Sequence, residues 1–484
     1  MKTYPQQLSS AGSGLAAPPP PPSPKVQKGS DEGFVRAIGL NSAVLMVLGA
    51  AVGSGIFLTT GVMATYLPSV TLLLTAWVAG GLLVLTGGLT YAEMGSMYPR
   101  SGGLYVFLSE AYGPLTGFLF GWASLLVVIT GSVAAVAIGF AEYFSFFFPT
   151  LSMQNEIARI TVPGGALSIK AGQLVGAVSI IILGIINYVG VRSGNALQAT
   201  LTILKITALV GLLVLAFAVQ RVEPVFTPVI PPEVPRTAAA FGVAMVAVMW
   251  TYEGWYYVAF ASGEIKNPSQ TLPRALIIGT FGLMLIYVVI NAAYFYSLSI
   301  SEMQGVERIA EKAVSELAGA GAGSLVASTV AVSTFGCNAA AVIGMSRICY
   351  AMAADGMFFR VASRVHPVYR TPHVAILITC GWSALLTLTG TYEQLFTYVT
   401  FASVLFFVAG GLAIFKLRWS KPDVPRPYRT WGYPVVPAIF VIGCGALVYN
   451  TLIERPTESI VGLGLVLLGI PFYWYWRKES EQCR

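Results

Sequence analysis

Read for hydropathy alone, the chain is a succession of apolar windows of about twenty residues separated by short polar stretches. The pattern predicts spanning helices over 39–64, 68–98, 112–148, 171–190, 193–219, 237–262, 271–298, 318–354, 374–390, 391–415, 432–451 and 458–476, twelve in all. Two of these windows break in mid-span, one in each half of the chain. The first reads Gly49-Ala50-Ala51-Val52-Gly53-Ser54-Gly55-Ile56-Phe57, the second Met249-Trp250-Thr251-Tyr252-Glu253-Gly254-Trp255. A bilayer has no water to receive freed backbone groups, so unwound backbone at that depth persists only around a polar site. A corresponding pair of interrupted helices in two halves of one chain points to a transporter's binding site.

Composition fixes the class. Hydrophobic residues make up 56% of the chain and charged residues 10%, with a mean hydropathy of +0.73. A soluble domain of 484 residues would need far more charge to cover its surface. The expectation is an all-α polytopic membrane protein with one integrated domain over 35–478. Residues 1–34 hold the run Pro18 to Pro22, glycines and serines, and little that packs, and so read as a disordered proline-rich cytosolic tail. Residues 479–484 form a short second tail. No apolar stretch precedes Gly39, so no cleavable signal peptide is read and the first spanning helix does the targeting.

Charge sets an orientation. With the N-terminus inside, most of the 28 lysines and arginines lie inside; Arg159, Lys170, Arg221, Arg236, Arg308, Lys312 and Arg455 form the outer set. This bias predicts a multi-pass plasma-membrane protein with both termini cytoplasmic. The net charge of +7 then faces anionic lipid, and no nucleic acid is implied. The five cysteines (Cys337, Cys349, Cys380, Cys444, Cys483) lie in predicted helices or the inner tail. No structural disulfide and no disulfide-linked accessory subunit is expected. Metal-ligand spacing is absent, and both histidines, His366 and His373, sit in one basic inner loop. Neither a metal nor a cofactor is expected. A membrane-embedded enzyme would need a constellation of acids, histidines or a metal motif; with none present, no catalytic residue is assigned.

The breaks carry the chemistry. At Gly53-Ser54-Gly55 three small residues let the chain leave helical geometry and let a ligand touch backbone. The half-helix that follows presents free N–H groups and a positive dipole end, suited to a carboxylate. The half-helix before it ends in free carbonyls, suited to an ammonium, so a zwitterionic amino acid matches both ends. The bland alternative is a small-residue packing seam. At the second break Glu253 is the acidic residue placed near the bilayer centre, where acids are costly and functional by default. It could face a substrate amine, carry a coupled proton, bond the other broken helix, or only cap its own half-helix. Mid-span position favours Trp250 as a lid over the site and Trp255 as pocket wall. Lys205 lies about twelve residues into its helix, roughly 18 Å, too deep to snorkel. Ser333 and Thr334, in a small-residue stretch of the eighth helix, are hydroxyls it could meet. The connector Gly263 to Arg274 reads as helix stop and start, with Thr271 capping. Glu93 and Arg100 read either as gate ion pairs or as solvated charges.

Taken together, Val52-Gly53-Ser54-Gly55-Ile56-Phe57, Ala92-Glu93-Met94 with Ser101-Gly102-Gly103, Tyr252-Glu253-Gly254-Trp255, the connector Glu264 to Arg274, and Ser333-Thr334-Phe335-Gly336 form an ordered set. The chain resembles the amino acid–polyamine–organocation transporters, within them the L-type amino acid transporter group, over nearly all of 35–475. The resemblance implies a LeuT-like fold of five plus five inverted repeats, at 39–219 and 237–415, with peripheral helices within 432–476. It implies discontinuous helices 1 and 6 and alternating access around a central site. Substrate would meet Ala51, Val52, Gly53, Ser54 and Gly55 in the first break and Trp250, Glu253 and Trp255 in the second. The carboxylate would meet backbone of Ser54 and Gly55, the amine the carbonyls of Ala51, Trp250 and Glu253, and Trp250 would be the aromatic gate. Lys205, with Ser333 and Thr334, would substitute for the sodium site of sodium-coupled relatives. Animal members carry a small residue in place of Glu253, and an outer-loop cysteine that residues 149–170 lack here.

The expectation is therefore a sodium-independent transporter or exchanger of neutral L-amino acids, with amino acid and lipid bilayer as its partners. The alternative is a proton-coupled amino acid permease, extending to cationic amino acids or amines.

Overall fold

The computed structural model describes residues 36–482 apart from 101, 163–164, 190–193, 233, 355 and 370. The proline-rich tail expected over 1–34 lies outside the described residues. Among them, eight helices are long and apolar enough to cross a membrane, nine if the bent pair α1 (Leu40–Ala51) and α2 (Gly55–Tyr66), 42° apart, is one span.

Then follow α3 (Val70–Met97), a short α4 (Leu104–Tyr112), and α5 (Pro114–Phe144), which contains a π-helical turn at Ser124–Val128. A hairpin of β1 (Glu156–Val162) and β2 (Gly165–Lys170) leads to α6 (Ala171–Val189) and α7 (Gly194–Val219). The second half holds α8 (Thr237–Tyr252), α9 (Pro268–Ser297), α10 (Ile309–Ala318), α11 (Ala320–Ala354), α12 (His373–Thr387) and α13 (Tyr392–Ser420). The chain closes with α14 (Val435–Glu454), α15 (Pro456–Leu467) and α16 (Gly469–Gln482).

Several sequence expectations need correction. The chain is not purely helical: the stretch read as an outer loop pairs Thr161 with Ala166 and Val162 with Gly165 in an antiparallel ladder. The span expected over 237–262 stops at Tyr252, and a 3-10 segment, Tyr257–Glu264, follows the break. The connector helix starts at Pro268 rather than at a Thr271 cap, because Asn267 turns left-handed (φ 45°) and Pro268 occupies the first turn. The last helix runs to Gln482, into the expected tail.

Packing sets the breaks at the centre. α3 lies along α9, α1 also packs on α9, α2 packs on α8, and α13 packs on α8 and α14. The chain entering α1 is tied to the connector: Ile38 donates to the Glu264 carbonyl at 3.0 Å and accepts from Lys266 at 2.9 Å. On this N-terminal face the Glu93 carboxylate is fully buried. It accepts from Arg418 Nε (3.0 Å) and Nη2 (2.7 Å) and from the Thr430 amide (2.6 Å), with Arg426 Nε at 3.4 Å. Beside it Glu110 pairs with Arg100 and, at 2.6 Å, with Lys421. Of the two readings for Glu93 and Arg100, ion pairs are what is found: Glu93 with Arg418 and Arg426, and Arg100 with Glu110.

On the far face, Tyr66 donates to Glu393 Oε1 at 2.7 Å, and Arg455 reaches both Tyr66 (2.6 Å) and Glu393 (2.5 Å). There, too, Arg221 pairs with Glu302 at 2.9 Å, and Glu302 caps the turn that begins at Ser299. The Arg221 guanidinium, with the Ser299 amide and hydroxyl, holds the Glu302 carboxyl down to about 2. A depressed carboxyl contributes stability that is present above its unfolded pKa, near ~4.3, and lost as pH falls toward the folded value. Protease sensitivity of the 298–318 segment is therefore expected to stay flat from neutral pH to about 5 and to rise below ~4. Limited proteolysis across a pH series reads this directly.

Candidate functional site

The first break is local. Val52 leaves the helix (φ −72°, ψ 76°), the Gly53 amide folds back to the Ala51 carbonyl at 2.7 Å, and α2 restarts at Gly55. The second break begins where Glu253 turns extended (ψ 143°) and Gly254 adopts φ +97°.

Two glycines bring the breaks into contact. A Cβ on Gly254 would stand 2.9 Å from the Ala50 carbonyl oxygen, and one on Gly55 would stand 2.7 Å from Thr251 Oγ1. The left-handed φ at Gly254 excludes a side chain on its own account. The start of α2 thus lies against the end of α8.

This contact leaves an asymmetric polar site. Among the described residues, no carbonyl receives the amides of Ser54, Gly55 and Ile56, the first turn of α2. Such a turn attracts an anion through its free N–H groups and dipole. On the opposite side the carbonyls at the end of α1 are already engaged. Lys205, 1% exposed, donates to Val52 at 2.6 Å and Gly49 at 3.2 Å and lies 3.4 Å from Cys337 Sγ. The expected meeting of Lys205 with Ser333 and Thr334 is replaced by Cys337, one turn further along α11. Thr334 instead turns its hydroxyl onto its own helix, donating to Val330 and Ala331.

Two tyrosines that sequence reasoning passed over complete the arrangement. The Tyr287 hydroxyl of α9 shares its proton between the carbonyls of Ala51 (2.8 Å) and Thr251 (2.9 Å), one from each broken helix. The Ala51 carbonyl, expected to meet a ligand ammonium, therefore already has a partner. The Tyr392 hydroxyl, at the start of α13, accepts from Trp250 Nε1 at 2.8 Å and lies 3.2 Å from Ser54 Oγ. Trp250 also stacks on Phe396. Nothing local marks either tyrosine; only their mid-span or helix-start position as polar aromatics offered a signal.

Glu253 lies at the turn itself. Its amide donates to the Trp250 carbonyl at 3.0 Å, and its Oε1 accepts from Tyr256 (2.9 Å) and Ser403 (3.3 Å). It does not bond the other broken helix. Trp255 packs into an aromatic cluster with Tyr91, Phe407 and Phe440.

Replacing Tyr392 with phenylalanine removes the hydroxyl between Ser54 and Trp250 while keeping the ring. A buried hydrogen bond of this kind is worth about 1 kcal/mol, so a shift of roughly fivefold in apparent substrate affinity is expected. Competition curves for Y392F and wild type measure it.

Comparison with known proteins follows the same outline. The sequence model of the family described as amino acid permease matches residues 38–470. The serine/threonine exchanger SteT of Bacillus subtilis is 30% identical over 453 residues, covering 93% of this chain and 99% of the relative. Large neutral amino acids transporter small subunit 2 of Mus musculus is 30% identical over 474 residues, 95% of this chain and 85% of its own. The cystine/glutamate transporter of Homo sapiens is 28% identical over 458 residues, covering 93% and 87%.

Proposed function

The chain belongs to the amino acid permease family, and from that premise we propose that it exchanges neutral L-amino acids, without sodium, by alternating access. The observation that carries the proposal is the contact between the two breaks, which leaves the amides of Ser54, Gly55 and Ile56 open beside Trp250 and Tyr392. The substrate carboxylate takes those amides. Its ammonium takes the Glu253 carbonyl at the end of α8 and the second lone pair of the Trp250 carbonyl, which also accepts from the Glu253 amide, and Trp250 closes the site.

Sodium independence is supported by Lys205, whose ammonium sits on the Gly49 and Val52 carbonyls that a metal ion would otherwise need. The proposed architecture has twelve spans: the eight long ones (α3, α5, α6, α9, α11, α13, α14, and α15 with α16 as one span), the bent pair, and α7, α8 and α12. It groups them as inverted repeats at 39–219 and 237–415 with both termini cytoplasmic. No disulfide-linked partner is proposed, since residues 149–170 hold no cysteine.

The test is counterflow in proteoliposomes. Labelled neutral amino acid is expected to accumulate only against unlabelled amino acid inside, and equally when choline replaces sodium. Saturable binding with no accumulated label would make the protein a receptor instead.

One observation favours a second reading, proton-coupled uptake that extends to cationic amino acids or amines: among the described residues Glu253 has hydroxyl partners and no cation. An inward proton gradient would then raise uptake and Glu253→Gln would abolish the rise; a pH step without effect removes this reading.

A further inference from the structure

One stripe of α13 runs along both breaks. Tyr392 meets Ser54 and Trp250, Phe396 stacks on Trp250, Ser403 donates to Glu253, and Phe407 packs on Trp255 and Tyr256. Steps of three and four residues keep these side chains on one helical face. Thr400 fills the gap between Phe396 and Ser403, and its hydroxyl, 3% exposed as a residue, has no partner among the described residues. Ser124 is likewise buried and unpartnered, at the start of the π-helical turn against which α13 packs. Such turns are frequent at functional sites.

Glu253 is the polar centre of this region. Both of its hydrogen bonds fall on Oε1, and none on Oε2. Among the described residues no lysine, arginine or histidine pairs with it. A carboxylate offers about four acceptor positions, so capacity for a further donor remains. An acid at this depth without a counter-charge is expensive to keep, and capping its own half-helix does not explain it, because the side chain turns to Ser403 and Tyr256 rather than to free amides.

We propose that Glu253, with Thr400 and Ser403, forms the compartment for the substrate's side chain. It selects amino acids whose side chain donates a hydrogen bond or carries positive charge over aliphatic ones of the same shape, which widens the neutral class proposed above to cationic side chains. This rests on the exchanger reading for where the substrate's main chain lies: carboxylate on the amides of Ser54 to Ile56, side chain directed toward Glu253. A site holding an unmet acceptor discriminates against the analogue lacking the donor, because that acceptor is then desolvated with nothing in return.

The experiment uses the full-length protein and two ligand pairs, threonine against its isostere valine and lysine against norleucine, the same chain without the ammonium. Each competes with one labelled amino acid in counterflow, and each is added to purified protein to read the shift in melting temperature. Threonine and lysine are expected to outcompete their partners at least about tenfold. Glu253→Gln should keep part of the threonine preference and lose the lysine preference, and Glu253→Gly should lose both. Equal potency within both pairs in wild type, or preferences unchanged in Glu253→Gly, overturns the inference. If the variants do not fold, the wild-type pairs decide alone. If no amino acid drives counterflow, the exchanger reading falls, and the melting shifts with the same four ligands still decide the selectivity.

Discussion

Replacing Lys205 with methionine is expected to lower the transport rate by about a hundredfold or more. The substitution keeps an unbranched side chain, one atom shorter, and removes three donors. It strands the Val52 and Gly49 carbonyls, which accept from Lys205 at 2.6 and 3.2 Å in a position sealed from water. Each buried acceptor left unmet costs ~1–3 kcal/mol, and each 1.4 kcal/mol is a factor of ten. The loss should appear at saturating substrate, because Lys205 holds helix carbonyls rather than ligand. Counterflow rates, normalised to protein that retains its melting temperature, measure it. A near-wild-type maximal rate in K205M would show that the end of α1 holds its place without the lysine.

The second large effect is on stability. Glu93→Ala removes the acceptor of two Arg418 bonds and of the Thr430 amide and leaves Arg426 facing an empty position. Breaking a buried ion pair from one side costs ~3–5 kcal/mol, since the remaining charge stays desolvated. Arg418 is 24% exposed, so water relieves part of that and about 3 kcal/mol is expected. The readouts are a lowered melting temperature and loss of monodisperse protein. The double variant E93A/R418M should recover part of the loss, which a double-mutant cycle isolates.

The two breaks were legible because glycine, serine and glutamate in the middle of an apolar window contradict the surroundings. Their mutual contact was not. It depends on Gly254 meeting Ala50 and Gly55 meeting Thr251, pairs remote in sequence that no local pattern joins. Lys205 stood out by depth, yet its partners are backbone carbonyls and Cys337, and carbonyls carry no residue signal. Tyr287 and Tyr392 escaped for a related reason: a tyrosine in a membrane helix reads as an interfacial anchor until its hydroxyl is located. The β1–β2 hairpin was read as loop, although Arg159, Ile160, Thr161 and Val162 alternate in polarity as strand residues do. The helix ends near 252 and 268 shifted because backbone turns at Gly254 and Asn267, not hydropathy, set them.

Neighbouring residues at the start of α13 look in opposite directions: Tyr392 into the site, Glu393 to Tyr66 and Arg455 at the far face. Thr391 and Gln394 brace that turn with reciprocal bonds, so the pair moves as one piece. It follows that this turn cannot shift at the far face without also disturbing the hydrogen bond by which Tyr392 holds Trp250.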